Sequence, residues 1–210
     1  MIDAERSSSA PAFAIRRLWP IECGRVRDHL LRLGPEDRAL RFCRATSDAF
    51  VATYCDNIDW LRASVLGVFV AGEVRGVAEL IRVDDQWPPT AELALSVEAP
   101  YQNRGVGSAL VRHSLVLAQN RLIGTVYTIF LLENRKMLNI ARKFAATLAI
   151  RGGQVEGEIS APRPSYLSLV EEIAAEGEAL IRAALEVPTP ATPGATAPGA
   201  TAAGGRDPSA

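Results

Sequence analysis

Hydrophobic positions between residues 12 and 186 alternate between the spacing of strands and the spacing of helices. Short apolar runs or a period of two indicate strands, whereas a period near 3.6 indicates helices. This pattern predicts six strands, at 13–19, 64–70, 74–83, 91–97, 125–132 and 154–161. It also predicts six helices, at 21–33, 35–42, 47–55, 105–120, 134–148 and 166–185.

Turn and capping residues mark several boundaries of these elements. Gly34-Pro35 ends one helix and begins the next, and Ser47 is a suitable N-cap for the helix that follows it. The short segment Ala71-Gly72-Glu73 predicts an antiparallel hairpin between two strands. The last predicted helix has an apolar face for packing, made of Val170, Ile173, Leu180, Ile181 and Ala184.

The order of elements predicts an α+β fold with three layers, α/β/α, rather than an unbroken βαβ series. We expect one domain at 12–186, preceded by a flexible N-terminus at 1–11. Residues 187–210 consist largely of Pro, Ala, Thr and Gly, which offer few large side chains to bury. This composition predicts a disordered tail.

Composition and charge exclude several classes of protein. The formal net charge is −1, so bulk electrostatics favour neither nucleic acid nor a membrane surface as a partner. No apolar run is long enough to span a bilayer, and the N-terminus lacks the layout of a secretory signal, so we expect a cytoplasmic location. Three widely spaced cysteines fit neither a disulfide framework nor a metal site, and we expect no metal.

The segment 99–108 carries the clearest sign of chemistry. It joins a predicted strand to a predicted helix, and Gly105 and Gly107 let successive backbone N–H groups turn toward one point. The helix N-terminus and Arg104 add positive potential there, which suits a pyrophosphate. The alternative is a glycine-containing helix start without a ligand. A P-loop lysine is missing, and Leu110 replaces the third glycine of a dinucleotide fingerprint.

Two motifs in this region resemble those of the GNAT acetyltransferases. Residues 102–107, Gln-Asn-Arg-Gly-Val-Gly, match the family's Gln/Arg-x-x-Gly-x-Gly/Ala pyrophosphate loop, and Val97-x-x-Pro100 precedes them as a typical strand exit. Residues 133–137, Glu-Asn-Arg-Lys-Met, resemble the family's second cofactor segment. Residues 33–42 resemble the start of the domain in bacterial protein-lysine acetyltransferases of this superfamily.

The resemblance implies a mixed, mainly antiparallel twisted sheet flanked by helices, and acetyl-CoA as the cosubstrate. It implies that Leu95 and Val97 hold the pantetheine through their backbone and that Asn134 lies near the same arm. The acetyl group then passes directly to an amine, with much of the acceleration coming from positioning the two substrates. The residues implied for the pyrophosphate are Gln102, Asn103, Arg104, Gly105, Val106, Gly107 and Ser108.

A direct transfer needs a base that keeps the attacking amine neutral. Glu92 is the first candidate, because related protein-acetylating members place a base glutamate in a similar Ala-Glu segment; the alternative is an exposed strand-edge charge. Glu79 on the neighbouring strand is the second candidate, and strand alternation alone leaves its direction open. Where the family's second cofactor helix often carries a tyrosine as general acid, this chain has Ala141, so water or Ser108 is left for that role.

These observations favour an N-acetyltransferase acting on a primary amine, with a slight preference for a protein lysine. A small-molecule amine acetyltransferase is the alternative within the same class. A non-catalytic acyl-CoA-binding regulatory module is the alternative outside it, because the acid is undefined. A homodimer through the last helix is left open. The arginines at 16–44 are interpreted as a solvated helix face, and His29 and His113 as packing residues.

Overall fold

The computed structural model describes residues 13–84, 86–161 and 164–185. The flexible N-terminus and the disordered tail predicted from the sequence lie outside the described residues. The strands are β1 Ala14–Leu18, β2 Ala63–Val70, β3 Glu73–Arg82, β4 Thr90–Val97, β5 Thr125–Leu131, β6 Thr147–Arg151 and β7 Gln154–Ser160. The α-helices are α1 Cys23–Arg32, α2 Pro35–Phe42, α3 Asp48–Asp56, α4 Val106–Asn120, α5 Arg135–Lys143 and α6 Tyr166–Leu185.

The strands form one seven-stranded sheet in the order β1-β2-β3-β4-β5-β7-β6. Every neighbouring pair is antiparallel except β4 and β5, which are parallel. The predicted hairpin is confirmed, with Ala71 and Gly72 both at positive φ between β2 and β3. The α+β prediction of a mixed, mainly antiparallel sheet flanked by helices is therefore confirmed.

Helices cover both faces of the sheet and make the three predicted layers. On one face, Val26 and Leu30 of α1 and Val51 of α3 pack with Val65 and Val77 of the sheet. On the opposite face, α4 buries an apolar stripe against β2, β3 and β4, and α5 covers β5 and β7. Ser47 caps α3 by accepting a hydrogen bond from the Phe50 N–H, as predicted. No described helix is long and apolar enough to cross a membrane.

The prediction for residues 134–148 is wrong at its C-terminal end. The helix ends at Lys143, and Thr147–Arg151 form β6, an edge strand that the sequence analysis missed. Gly152 and Gly153, both at positive φ, make the two-residue turn that joins β6 to β7. Pairing with β7 overrides the helical spacing of the apolar residues, and the Gly-Gly turn is the sequence signal that marks this hairpin.

The predicted apolar face of α6 is wrong for the three of its five residues whose side chains the structure describes. Val170, Ile173 and Ile181 are 43%, 71% and 64% exposed, whereas the helix packs on β1 and α4. Its buried contact is polar: the Ser168 hydroxyl donates to Asn120 Oδ1 over 2.6 Å. Hydrogen bonds between α6 and the end of α4 therefore contribute to docking, and apolar periodicity does not reveal them. The side chains at 180 and 184 lie outside the described residues.

Candidate functional site

The parallel pair β4–β5 separates along its length and opens a cleft in the sheet. The two strands pair only where Thr90–Glu92 lie beside Thr125–Tyr127, although β4 continues to Val97 and β5 to Leu131. Beyond Glu92, the β5-facing backbone groups of β4 therefore have no strand partner on that side. Such groups are available to the amides and carbonyls of a ligand.

The cleft has a volume of about 310 Å³ and lies between the end of β4, the loop before α4, and helices α2 and α5. Most of the residues predicted to hold the cofactor line it: Leu95, Val97, Gln102, Asn103, Gly105, Gly107, Ser108 and Asn134. Eight further lining residues were not predicted: Asp37, Leu40, Arg41, Ser96, Lys136, Met137, Asn139 and Ile140. Arg104 and Val106 are not among the lining residues, and the Val106 side chain is buried in the core.

Two glycines shape the end of the cleft at the start of α4. Gly105 takes the N-cap position with φ +82, a conformation that side-chain-bearing residues rarely adopt. A Cβ on Gly107 would lie 2.9 Å from Ile140 Cδ1 of α5, so a side chain there would fill the space between the two helices. The free N–H groups of the first turn of α4 thus face an open, anion-compatible space.

Gln102 links the loop to both sides of the cleft. Its Nε2 donates to the Val97 carbonyl over 2.8 Å, and its Oε1 accepts a hydrogen bond from Lys136 Nζ. Lys136 Nζ also lies 3.9 Å from Asp37 Oδ1 of α2. A cation that the sequence analysis did not single out therefore lies at the mouth of the cleft, where an anionic ligand would enter.

Asn134 begins α5 beside the cleft. Its Oδ1 accepts a hydrogen bond from the Met137 N–H over 3.0 Å, so its side chain caps the helix. The segment that resembles the second cofactor motif is thereby fixed in place next to Leu95 and Ile140. The residue at the family's tyrosine position, Ala141, is buried in the small core between α5 and the sheet.

Glu79 points into the layer of α1–α3 and is fully buried. Its carboxylate accepts hydrogen bonds from Arg41 Nη2 over 2.6 Å and from the Tyr54 hydroxyl over 2.7 Å. Burial raises the pKa of Tyr54. Burial would lower the pKa of Arg41, but Glu79 and Tyr54 outweigh it and raise that pKa. Arg41 lines the cleft with a nearly buried side chain, so its interpretation as part of a solvated helix face is wrong.

Glu92 lies at the point where β4 and β5 separate, on the same face of the sheet as Glu79. It is half-buried, pairs across the sheet with Tyr127, and does not line the cleft itself. Burial raises the pKa of Tyr127, with further effects from the carboxylates of Glu92 and Glu156. Cys43, at the end of α2, is close enough to Glu92 for that carboxylate to add to the burial that raises its pKa.

The C-terminal half of β4 is anchored to α1 by a buried hydrogen-bond network. His29 Nε2 lies 2.9 Å from Ser96 Oγ, and His29 Nδ1 lies 3.2 Å from Glu98 Oε1. Arg32 and Arg75 also donate to the Glu98 carboxylate. Burial would raise the pKa of Glu98, but the hydrogen bonds from His29, Arg32 and Arg75 outweigh it and hold the pKa at about 2. This network supports the strand segment that has lost β5 as a neighbour.

Comparison with known protein families identifies the class of protein to which this fold and cleft belong. A sequence profile of the acetyltransferase (GNAT) family matches residues 36–146, more than half of the chain. The chain belongs to the GNAT family, and acetyl-CoA is the acetyl donor of that family. A comparison with curated protein sequences gave no significant match.

Solved structures with the same fold agree with this assignment. The GNAT domain of S. lividans PAT is 23% identical with a TM-score of 0.60, covering 70% of this chain and 89% of that domain. A variant of the cAMP-binding acyltransferase from Mycobacterium smegmatis is 23% identical with a TM-score of 0.52, covering 81% of this chain and 52% of that protein. YncA from Salmonella typhimurium, solved with acetyl-CoA, is 14% identical with a TM-score of 0.55, covering 73% of this chain and 96% of that protein.

Proposed function

We propose that this protein transfers an acetyl group from acetyl-CoA directly to a primary amine, and that its preferred acceptor is a lysine side chain of a protein. The observation that carries the proposal is the separation of β4 and β5, which leaves a cleft with the glycine loop at one end and Glu92 where the strands part. A cofactor and an amine can thus approach one point from opposite faces of the sheet. Positioning of this kind supplies a large part of the acceleration in a two-substrate reaction.

Different parts of the cleft are suited to different parts of the cofactor. The N–H groups at the start of α4, with Gly105 and Gly107, are suited to the pyrophosphate, and Lys136 adds a positive charge at the cleft mouth. The backbone groups of Leu95 and the N–H of Val97, which have no partner on β5, are suited to the amides of the pantetheine arm. Acetyl-CoA supplies the thioester-activated acetyl group, and the chain supplies orientation and proton transfer.

Glu92 is the proposed general base, acting on the amine directly or through one water. Its carboxylate is half-buried and no hydrogen bond ties it to another described side chain, so it has lone pairs available for a proton. Glu79, in contrast, is already bonded to Arg41 and Tyr54 in a buried ion pair. We therefore assign Glu79 the role of holding Arg41 at the cleft wall.

The proton that the departing thiolate needs comes from water or from Ser108, which lines the cleft. The Tyr54 hydroxyl is bonded to Glu79, and burial raises its pKa, which makes it a poor proton donor at neutral pH. The buried Ala141 at the family's tyrosine position favours a second candidate function, a regulatory module that binds acyl-CoA without turnover.

An acceptor panel tests these proposals. The purified chain is incubated with acetyl-CoA and lysine peptides, peptides with only a free α-amine, or polyamines, and products are identified by mass spectrometry. We expect acetylation on lysine Nζ, at a higher rate than on polyamines. Transfer to polyamines alone would contradict the protein-lysine preference, and acetyl-CoA binding without any transfer would support the regulatory module. The cytoplasmic location and the homodimer stay predictions.

A further inference from the structure

Half of one face of the sheet is uncovered in the described part of the chain. Along β7, Gln154, Glu156 and Glu158 are exposed, whereas the alternate residues Val155 and Gly157 are buried under α5. The cross-strand register places Ile129 of β5 opposite Glu156 and therefore on the exposed face. Helices α1–α3 cover β1–β4 on this face, and the end of α2 reaches β5.

Glu92 belongs to this uncovered face. The register pairs Glu92 with Tyr127, Tyr127 with Glu158, and Glu158 with Thr147, so these four residues form one row across β4, β5, β7 and β6. Side chains in such a row share a face, and neighbouring strands lie about 5 Å apart. Glu158 is thus about 10 Å from Glu92, and the face leads directly to the proposed reaction centre.

The face carries a net negative charge. Glu156 and Glu158 are exposed on it, and Arg151 at the end of β6 is its single basic residue among the described positions of β5, β6 and β7. The register places Tyr127 between Glu92 and Glu158, with Glu156 two residues from Glu158 on the same face. Tyr127 and Ile129 supply apolar surface between the charges.

We propose that this face, defined by Tyr127, Ile129, Glu156 and Glu158, docks a basic segment of a protein acceptor whose target lysine reaches Glu92. The inference rests on the proposed function and specifies its acceptor. A surface three strands wide exceeds what a small amine can contact, and its charge complements arginine or lysine residues flanking the target. Glu156 and Glu158 are thus specificity-determining residues that act on acceptor binding.

Two peptides of equal length test the proposal on the full chain. Each carries one lysine, flanked by arginines in the first peptide and by glutamates in the second. We expect wild type to acetylate the arginine-flanked peptide with a kcat/KM about tenfold higher than that for the glutamate-flanked peptide. The variant Glu156→Gln/Glu158→Gln should lose most of this preference, because its KM for the arginine-flanked peptide rises while kcat is retained. Glu156→Arg/Glu158→Arg should invert the preference. The matched control, Glu171→Gln/Glu176→Gln, removes two charges from α6 at the opposite edge of the sheet and should leave the preference unchanged.

A binding arm separates this proposal from the proposed function. Fluorescence anisotropy with CoA present measures binding of the same peptides with norleucine in place of lysine, which requires no turnover. Discrimination between the two peptides that is lost in Glu156→Gln/Glu158→Gln supports the docking face even where no acetyl transfer occurs. Equal binding of both peptides by wild type, or equal effects of the two double variants, would overturn it and point to another occupant of this face, such as a second copy of the chain.

Discussion

At the scale of single residues, Glu92 and Glu79 lie on one face of the sheet in different surroundings. Glu79 is buried and bonded to Arg41 and Tyr54, whereas Glu92 is half-buried where β4 and β5 separate. A general base needs an available lone pair near the attacking amine, whereas a buried ion pair serves to hold its partner. The two glutamates should therefore respond differently to the same substitution.

Glu92→Gln should lower kcat/KM by about a hundredfold or more, because it removes proton acceptance while keeping the shape of the side chain. The ascending limb of the pH–rate profile should disappear, while the Kd for acetyl-CoA measured by calorimetry stays the same. Glu158→Gln, in the same cross-strand row, is the control and should keep kcat at saturating acceptor. An unchanged rate and pH profile in Glu92→Gln would remove it from the role of base.

Glu79→Gln should lower the free energy of unfolding by about 3 kcal/mol, because it leaves the Arg41 guanidinium buried without its counter-charge. Urea denaturation measures the loss. The double variant Glu79→Gln/Arg41→Met should regain part of the stability, since it removes both charges of the pair. A Glu79→Gln protein that is as stable as wild type but inactive would instead favour Glu79 as the base.

Residue-level features are predictable from the sequence when their causes are local. The glycine loop at 102–107 could be found because a strand, two glycines and a helix start follow one another directly. The contact between Arg41 and Glu79 joins α2 to β3 across 38 positions, and the short motif around Arg41 does not show its partner. A separation of 69 positions likewise hides the link between His29 and Glu98.

At the scale of elements, β4 depends on α1 for support where it leaves β5. Ser96 on β4 and Glu98, the residue directly after β4, bond to His29 on α1, and Arg32 and Arg75 complete the set of donors to Glu98. Burial lowers the pKa of His29, against the opposing effect of Glu98. The contribution of His29 to the free energy of unfolding is therefore present at neutral pH. It decreases as pH falls below 6.5, because the unfolded state takes up a proton on His29 more readily than the folded state does.

Glu98→Gln should remove the part of the free energy of unfolding that this network loses in acid. The pKa of Glu98 falls from 4.5 to about 2 on folding, so the carboxylate contributes about 3 kcal/mol above pH 4.5, and this is lost as pH falls toward 2. Urea unfolding should show wild type more stable than Glu98→Gln near neutral pH, with the gap closing in acid. Glu171→Gln, an exposed glutamate on α6, should show a small gap at every pH; a constant gap for Glu98→Gln would contradict the account.

Element boundaries were predicted well where capping or turn chemistry marks them and poorly where tertiary contacts decide. Ser47 and the Ala71-Gly72 turn gave correct limits for α3 and the first hairpin. β6 was missed because its residues continue the apolar spacing of α5, and pairing with β7 decides their conformation. The exposed face of α6 shows the converse, since polar contacts around Asn120 and Ser168 dock that helix.

At the scale of the whole molecule, the mixed sheet makes the cleft possible. Five of the six neighbouring strand pairs are antiparallel, whereas the one parallel pair, β4–β5, separates after three residues and leaves room beside the start of α4. By family resemblance, the two cofactor motifs pointed to the end of β4, the loop before α4 and the start of α5, which line this cleft. The uncovered face beside it was not predictable, because it depends on which helices the fold places over β5, β6 and β7.

Calorimetric titration with acetyl-CoA tests the central claim most directly. Wild type should bind one equivalent, and Gly107→Glu should lose binding while its circular dichroism and unfolding midpoint stay near those of wild type, because the new side chain fills the space between α4 and α5. The matched variant Gly24→Glu, where a Cβ meets no atom within 4 Å, should keep binding. Absence of binding by wild type, or unchanged binding by a folded Gly107→Glu, would contradict the claim that this cleft holds acetyl-CoA.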